Sequence, residues 1–92
     1  MKLFGIMLVK DEIDIIRSTL SAARDLFDRI IVIDNGSTDG TWDEVKSLES
    51  SVITPWKQDL RPYSNGLRAD AFNAFRSEAA DIEISIPTKD KN

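Results

Sequence analysis

The sequence contains no cysteine and no histidine. The first absence excludes a disulfide framework and thiolate chemistry. The second removes the commonest general base, the usual catalytic triads and nearly all zinc sites. Any metal would need oxygen ligands, as Mg²⁺, Mn²⁺ and Ca²⁺ do. Positive charge is also scarce: 12 Lys and Arg stand against 16 Asp and Glu, a net charge of −4. Such a chain lacks the basic stripe of a dedicated nucleic-acid binder, and no nucleic-acid partner is expected. A small phosphate ligand is still allowed, because it needs only local positive potential or free backbone N–H groups. No apolar run reaches the roughly 20 residues that span a bilayer, so no transmembrane segment is expected. Met1-Lys2 and the apolar run Leu3 to Val9 lead into Lys10-Asp11-Glu12 without a small-residue cleavage site. That start reads as a buried strand rather than a signal peptide, and the expected location is the cytoplasm. There is no G-x-G-x-x-G and no P-loop, so neither a standard dinucleotide site nor a P-loop NTPase is expected.

What remains is an ordinary globular balance. Of 92 residues, 41% are hydrophobic and 30% charged, which suits one small domain spanning 1–92 rather than a disordered chain. Leu3 to Val9 is short, apolar and abruptly stopped, the pattern of a strand buried on both faces. From Glu12 the pattern becomes helical, with Ile13, Ile16, Leu20, Ala23 and Phe27 on one stripe and Arg17, Ser18, Ser21, Arg24 and Asp25 on the wet side. Ile30 to Ile33 is a second strand. The turn Asn35 to Thr41 follows, and Trp42, Val45 and Leu48 mark a second helix with Asp43 and Glu44 in its first turn. Val52-Ile53-Thr54 reads as a third strand stopped by Pro55. Trp56 to Gly66 reads as a loop, and Leu67 to Ala80 as a third helix. Ile82, Ile84 and Ile86 alternate with Glu83 and Ser85, the mark of a half-exposed fourth strand ended by Pro87, with 87–92 a frayed tail.

The order β-α-β-α-β-α-β predicts an α/β fold: a four-stranded parallel sheet between helices, a three-layer α/β/α arrangement. The half-exposed last strand predicts an open sheet edge, and hence a larger fold or a homodimer paired through that edge. In open parallel sheets, ligands sit beyond the carboxyl ends of the strands. Two of those ends, Val9-Lys10-Asp11-Glu12 and Asp34-Asn35-Gly36-Ser37, gather acidic and amide groups at one rim. A carboxylate there can accept hydrogen bonds from a base N–H or a ribose hydroxyl, and the combination suits a nucleotide. On generic physics the same Asp34, Ser37 and Asp39 can equally be caps of the second helix. Asn35, Ser37, Asp39, Gly40, Thr41 and Asp43 fall near the offsets of a calcium loop, but Lys46 occupies the position of its bidentate Glu and a strand precedes it, so calcium is not expected.

The run Ile31-Val32-Ile33-Asp34-Asn35-Gly36-Ser37-Thr38-Asp39-Gly40-Thr41 resembles the hallmark turn of family 2 glycosyltransferases with the GT-A fold. Met7 to Glu12 followed by a helix resembles a companion element. Arg68 and Asn73, on a helix after a loop with Trp56 and Asp59, are similar to a third and weaker one. The resemblance covers nearly the whole chain and implies half of a GT-A, Rossmann-like fold. It implies a glycosyltransferase-like domain that binds a nucleotide-diphosphate sugar for transfer to an acceptor. Backbone around Val9 would touch the base, Glu12 would lie near the ribose or base, Asp34 or Asn35 would bond the base, and Arg68 would lean toward the base or the diphosphate. First-turn dipole stabilisation for Glu12 and a solvated helix face for Arg68 are the competing readings. Trp42 and Trp56 are expected in the core.

The departure from the family pattern matters as much. The family carries an Asp-x-Asp that holds Mn²⁺ or Mg²⁺ on the diphosphate after the fourth strand. Here that stretch reads Pro87-Thr88-Lys89-Asp90-Lys91, one carboxylate between two ammonium groups. The complete family fold implies Mn²⁺ or Mg²⁺, yet no metal ligand is assigned and no tightly bound metal is expected here. The acceptor half and its catalytic base are not represented, so no catalytic residue is assigned. The alternative expectation is a catalytically inactive, truncated nucleotide-binding or scaffold module.

Overall fold

A computed structural model describes residues 3–60, 65–75 and 82–85. The chain runs β1 (Leu3–Val9), α1 (Ile16–Arg24), β2 (Arg29–Asp34), α2 (Thr41–Ser47), β3 (Ile53–Gln58), α3 (Asn65–Phe75), β4 (Ile82–Ser85). All neighbouring strands are parallel, in the order β3-β2-β1-β4. β1 and β2 are therefore interior, which explains why both read as unbroken apolar runs rather than alternating ones.

Alternate side chains of these two strands enter two cores. Met7, Val9, Ile30 and Val32 pack with Ile16, Leu20 and Ala23 of α1 and Val45 of α2. Phe4, Ile6, Leu8, Ile31 and Ile33 pack with Ala71 of α3. Trp42 lies against the first core and Trp56 against the second, as expected. Trp56 meets Phe75 edge to face at 5.5 Å between ring centroids, and the Arg29 guanidinium sits 5.4 Å from the Phe75 centroid. These contacts fasten α3 to the sheet.

Several element boundaries differ from the sequence expectation, three of them by more than one residue at an end that shapes the rim or the sheet. α1 begins at Ile16, not near Glu12. Asp11 adopts φ +52°, and the Glu12 carbonyl accepts the N–H groups of Ile15 and Ile16 at 3.0 and 2.8 Å, so a tight turn replaces the first helical turn. Ile13 consequently leaves the apolar stripe and is 42% exposed. β3 continues through Pro55 to Gln58. Proline is tolerated because β3 is an edge strand and a bulge lies beside it, where Val32 pairs with Pro55 but Ile33 with Lys57. The long loop accordingly starts at Asp59 rather than Trp56. α3 starts two residues before the expected Leu67; its expected end, and the tail 87–92, lie outside the described residues.

Candidate functional site

Register decides where the acidic groups fall. Val9 at the end of β1 pairs with Asp34 at the end of β2, and Asp34 pairs with Gln58 at the end of β3. The Asn35 N–H donates to the Val9 carbonyl at 2.8 Å, and the Asp59 N–H to the Asp34 carbonyl at 2.8 Å. The Asn35 side-chain amide donates to the Asp59 carbonyl at 2.8 Å. Three strand tips are thus tied into one rim, at the end of a parallel sheet where ligands bind.

Val9, Glu12, Asp34 and Asn35 come together on this rim, and all four are buried, Glu12 and Asp34 with no exposure at all. One oxygen of Glu12, Oε2, accepts the Lys10 N–H at 3.2 Å. Val9 has only its carbonyl to offer a ligand, and Asn35 already uses one of its two lone pairs. Arg68 lies on α3, but its side chain lies outside the described residues.

Asp34 divides its two oxygens between different tasks. Oδ1 accepts the N–H groups of Gly36 and Ser37 at 2.8 and 2.7 Å, and the Gln58 amide approaches it at 3.4 Å. This oxygen folds the turn after β2. Oδ2 is buried and has no hydrogen-bond partner among the described residues. A buried oxygen left in that state costs about 1–3 kcal/mol, a cost that a donor from a ligand would remove. Asp34 therefore does not cap α2, which begins at Thr41: Oδ1 folds the turn after β2, and Oδ2 is left without a partner among the described residues.

Ser37 and Thr38 do not cap α2 as their types suggest, whereas Asp39 accepts the first helical N–H, that of Thr41, at 3.0 Å. Gly40 stands at the cap position with φ +95° and no side-chain cap. All three polar residues clasp the β1–α1 loop. The Asp11 N–H donates to Ser37 Oγ at 2.8 Å, and the Thr38 N–H donates back to Asp11 Oδ1 at 2.7 Å. The Ile13 N–H donates to Asp39 Oδ2 at 3.2 Å. The Glu12 N–H donates to the hydroxyl of Thr41, a fully buried residue, at 2.7 Å, and that hydroxyl donates to Asp39 Oδ1. The Thr41 hydroxyl, chiefly, with the N–H groups of Ile13 and Thr41, holds the Asp39 carboxyl below its ordinary value of 3.8, against a smaller desolvation effect of opposite sign. Asp11, Asp39 and Thr41 were invisible as a clasp in the sequence, where each is simply a turn-forming type. The usable signal was that two such clusters end two strands that turn out to be neighbours.

A polar groove of about 280 Å³ lies beside the rim, lined by Ser37, Thr38, Gly40, Trp42, Asp43, Lys46 and Gln58. It touches neither Glu12 nor Asp34; Ser37 and Gln58, which both donate to Asp34 Oδ1, connect it to that carboxylate. No group of three or more acidic residues that could hold a metal ion occurs among the described residues. The stretch 87–92, which holds Asp90, lies outside the described residues, and no chemical step is assigned to a metal.

A parallel α/β sheet of this order is compatible with half of a Rossmann-like fold. Within that fold class the family is specific: the model of glycosyl transferase family 2 matches residues 6–79, and the chain belongs to that family. Comparison with curated proteins and with solved structures finds no further match.

Proposed function

We propose that this chain is the donor-binding half of a family 2 glycosyltransferase, a three-layer α/β/α unit whose four-stranded sheet presents a nucleotide-diphosphate sugar site at the tips of β1 and β2. The observation that carries the reading is the buried Oδ2 of Asp34, which lacks a partner among the described residues. It needs a hydrogen-bond donor, and a nucleobase N–H supplies one. Asn35 follows Asp34 in the chain, Glu12 is buried after the neighbouring strand tip, and Arg68 on α3 is the residue we assign to the base or the diphosphate. In the complete reaction an acceptor hydroxyl attacks the anomeric carbon while the nucleoside diphosphate leaves. No described residue is assigned the role of base, so the 92 residues are expected to bind donor without turning it over. A chain without cysteine suits the reducing cytoplasm, where we place it. No helix among the described residues is long and apolar enough to cross a membrane.

Calorimetric titration with uridine and guanosine diphosphates, with and without Mn²⁺, tests the reading. Binding of one of them is expected. Asp34→Asn puts a donor where the free acceptor stood while Oδ1 can still hold the turn. It should weaken binding tenfold or more, about 1.4 kcal/mol, with the melting temperature held or raised. Failure of the wild-type chain to bind either diphosphate refutes the donor site. A transferase assay showing turnover by the isolated chain refutes the expected inactivity.

A further inference from the structure

Thr41 opens α2 yet is fully buried, and it meets the proposed ligand site through the backbone of Glu12. Its hydroxyl has one proton, and that proton goes to Asp39. The oxygen is thereby turned so that a lone pair receives the Glu12 N–H at 2.7 Å. Asp39 braces the same assembly from outside: Oδ1 accepts the Thr41 N–H at 3.0 Å, and Oδ2 accepts the Ile13 N–H at 3.2 Å. Glu12 is followed by a turn rather than a helix, and Asp11 before it sits at φ +52°. Local hydrogen bonds hold the Glu12 carbonyl, through the N–H groups of Ile15 and Ile16, but the N–H groups of Asp11, Glu12 and Ile13 are held from the β2–α2 turn. Glu12 cannot shift without breaking this buried hydrogen bond to Thr41.

We infer that Thr41 is a positioning residue for the donor pocket: with Asp39 it locks the β1–α1 loop, so that Glu12 is already held in place at the end of β1 when a nucleotide arrives. The role rests on the donor-site reading above. Locking the loop beforehand removes an ordering cost from binding. Neither the turn signature nor helix capping requires it, since the Thr41 hydroxyl serves the neighbouring loop and not its own helix.

The test compares Thr41→Val, which keeps the side-chain shape and deletes the hydroxyl, with Thr41→Ser, which restores the hydroxyl without the methyl group. Three measurements are made on each: titration with uridine and guanosine diphosphates, thermal melting, and amide hydrogen exchange at residues 10–13. Thr41→Val is expected to weaken diphosphate binding about tenfold and to speed exchange at Glu12, and Thr41→Ser to recover both. Wild-type affinity in a folded Thr41→Val overturns the inference, as does a Thr41→Ser that melts normally but binds like the valine variant. Should Thr41→Val not fold, Asp39→Asn loosens the lock from the exposed side, and unchanged binding in that variant overturns the inference. Should the wild-type chain bind neither diphosphate, the donor site fails by itself. The exchange measurement then decides the lock separately, and unchanged exchange at Glu12 in Thr41→Val removes it.

Discussion

Asp39 shows how much a single exposed carboxylate can organise. It accepts hydrogen bonds from Ile13, from the Thr41 backbone and from the Thr41 hydroxyl, and these lower its carboxyl pKa from 3.8. A group whose folded value is depressed stabilises the fold above its unfolded value, and that contribution is lost as pH falls through the folded value. The window therefore lies below about pH 4, and nothing from this residue is expected near neutrality. Thermal melting against pH should show a shallower acid limb in Asp39→Asn than in the wild-type chain. An unchanged acid limb means that the clasp around Asp39 does not survive in solution. Glu12 and Asp34 are conspicuous in the sequence as carboxylates at strand ends because each ends or follows an unbroken apolar run. The division of labour within Asp34 was not legible, because a sequence cannot say that one oxygen turns the chain and the other stays without a partner. Gly36 belongs to the same account: φ is +104°, and a Cβ there would lie 2.7 Å from the Leu60 side chain, so the turn admits no larger residue without movement.

Among the elements, α1 is held by packing more than by its ends. It has no side-chain cap and no acidic residue in its first turn. Its hold on the sheet comes from Ile16, Leu20 and Ala23. Leu20 has no exposure, so Leu20→Ala should destabilise the fold by about 2–5 kcal/mol, read from denaturant midpoints; a loss well below 1 kcal/mol would show that α1 does not pack as described. The stripe that carries α1 was readable from the periodicity, but its first member, Ile13, was misplaced. Periodicity registers apolar spacing and is blind to Asp11, whose left-handed backbone starts a turn. The extension of β3 past Pro55 was hidden for a related reason. Proline signals a stop in an interior strand, and only the strand order shows that β3 is at the edge. Gln58 and Asp59, which complete the rim, were therefore read into a loop.

At the scale of the whole molecule, strand order turns separate signals into one site. The order β3-β2-β1-β4 sends the chain one way from β1 to β3 and then across to the far side of β1. Such a reversal marks where crevices open in parallel sheets. It also leaves two unlike margins. Among the described residues nothing pairs with the outer side of β4, and self-association through that margin is our prediction. Sedimentation at rising concentration should show a dimer; a single monomeric species up to high concentration argues against it. The opposite margin, β3, is interrupted by Pro55, which lacks an N–H, and by the bulge next to it. A sheet blunted on one side lengthens in one direction only. Copies joined β4 to β4 would close on a twofold axis with a proline-bearing strand at each outer end. Such an assembly is complete at two subunits and has no way to grow into a fibre.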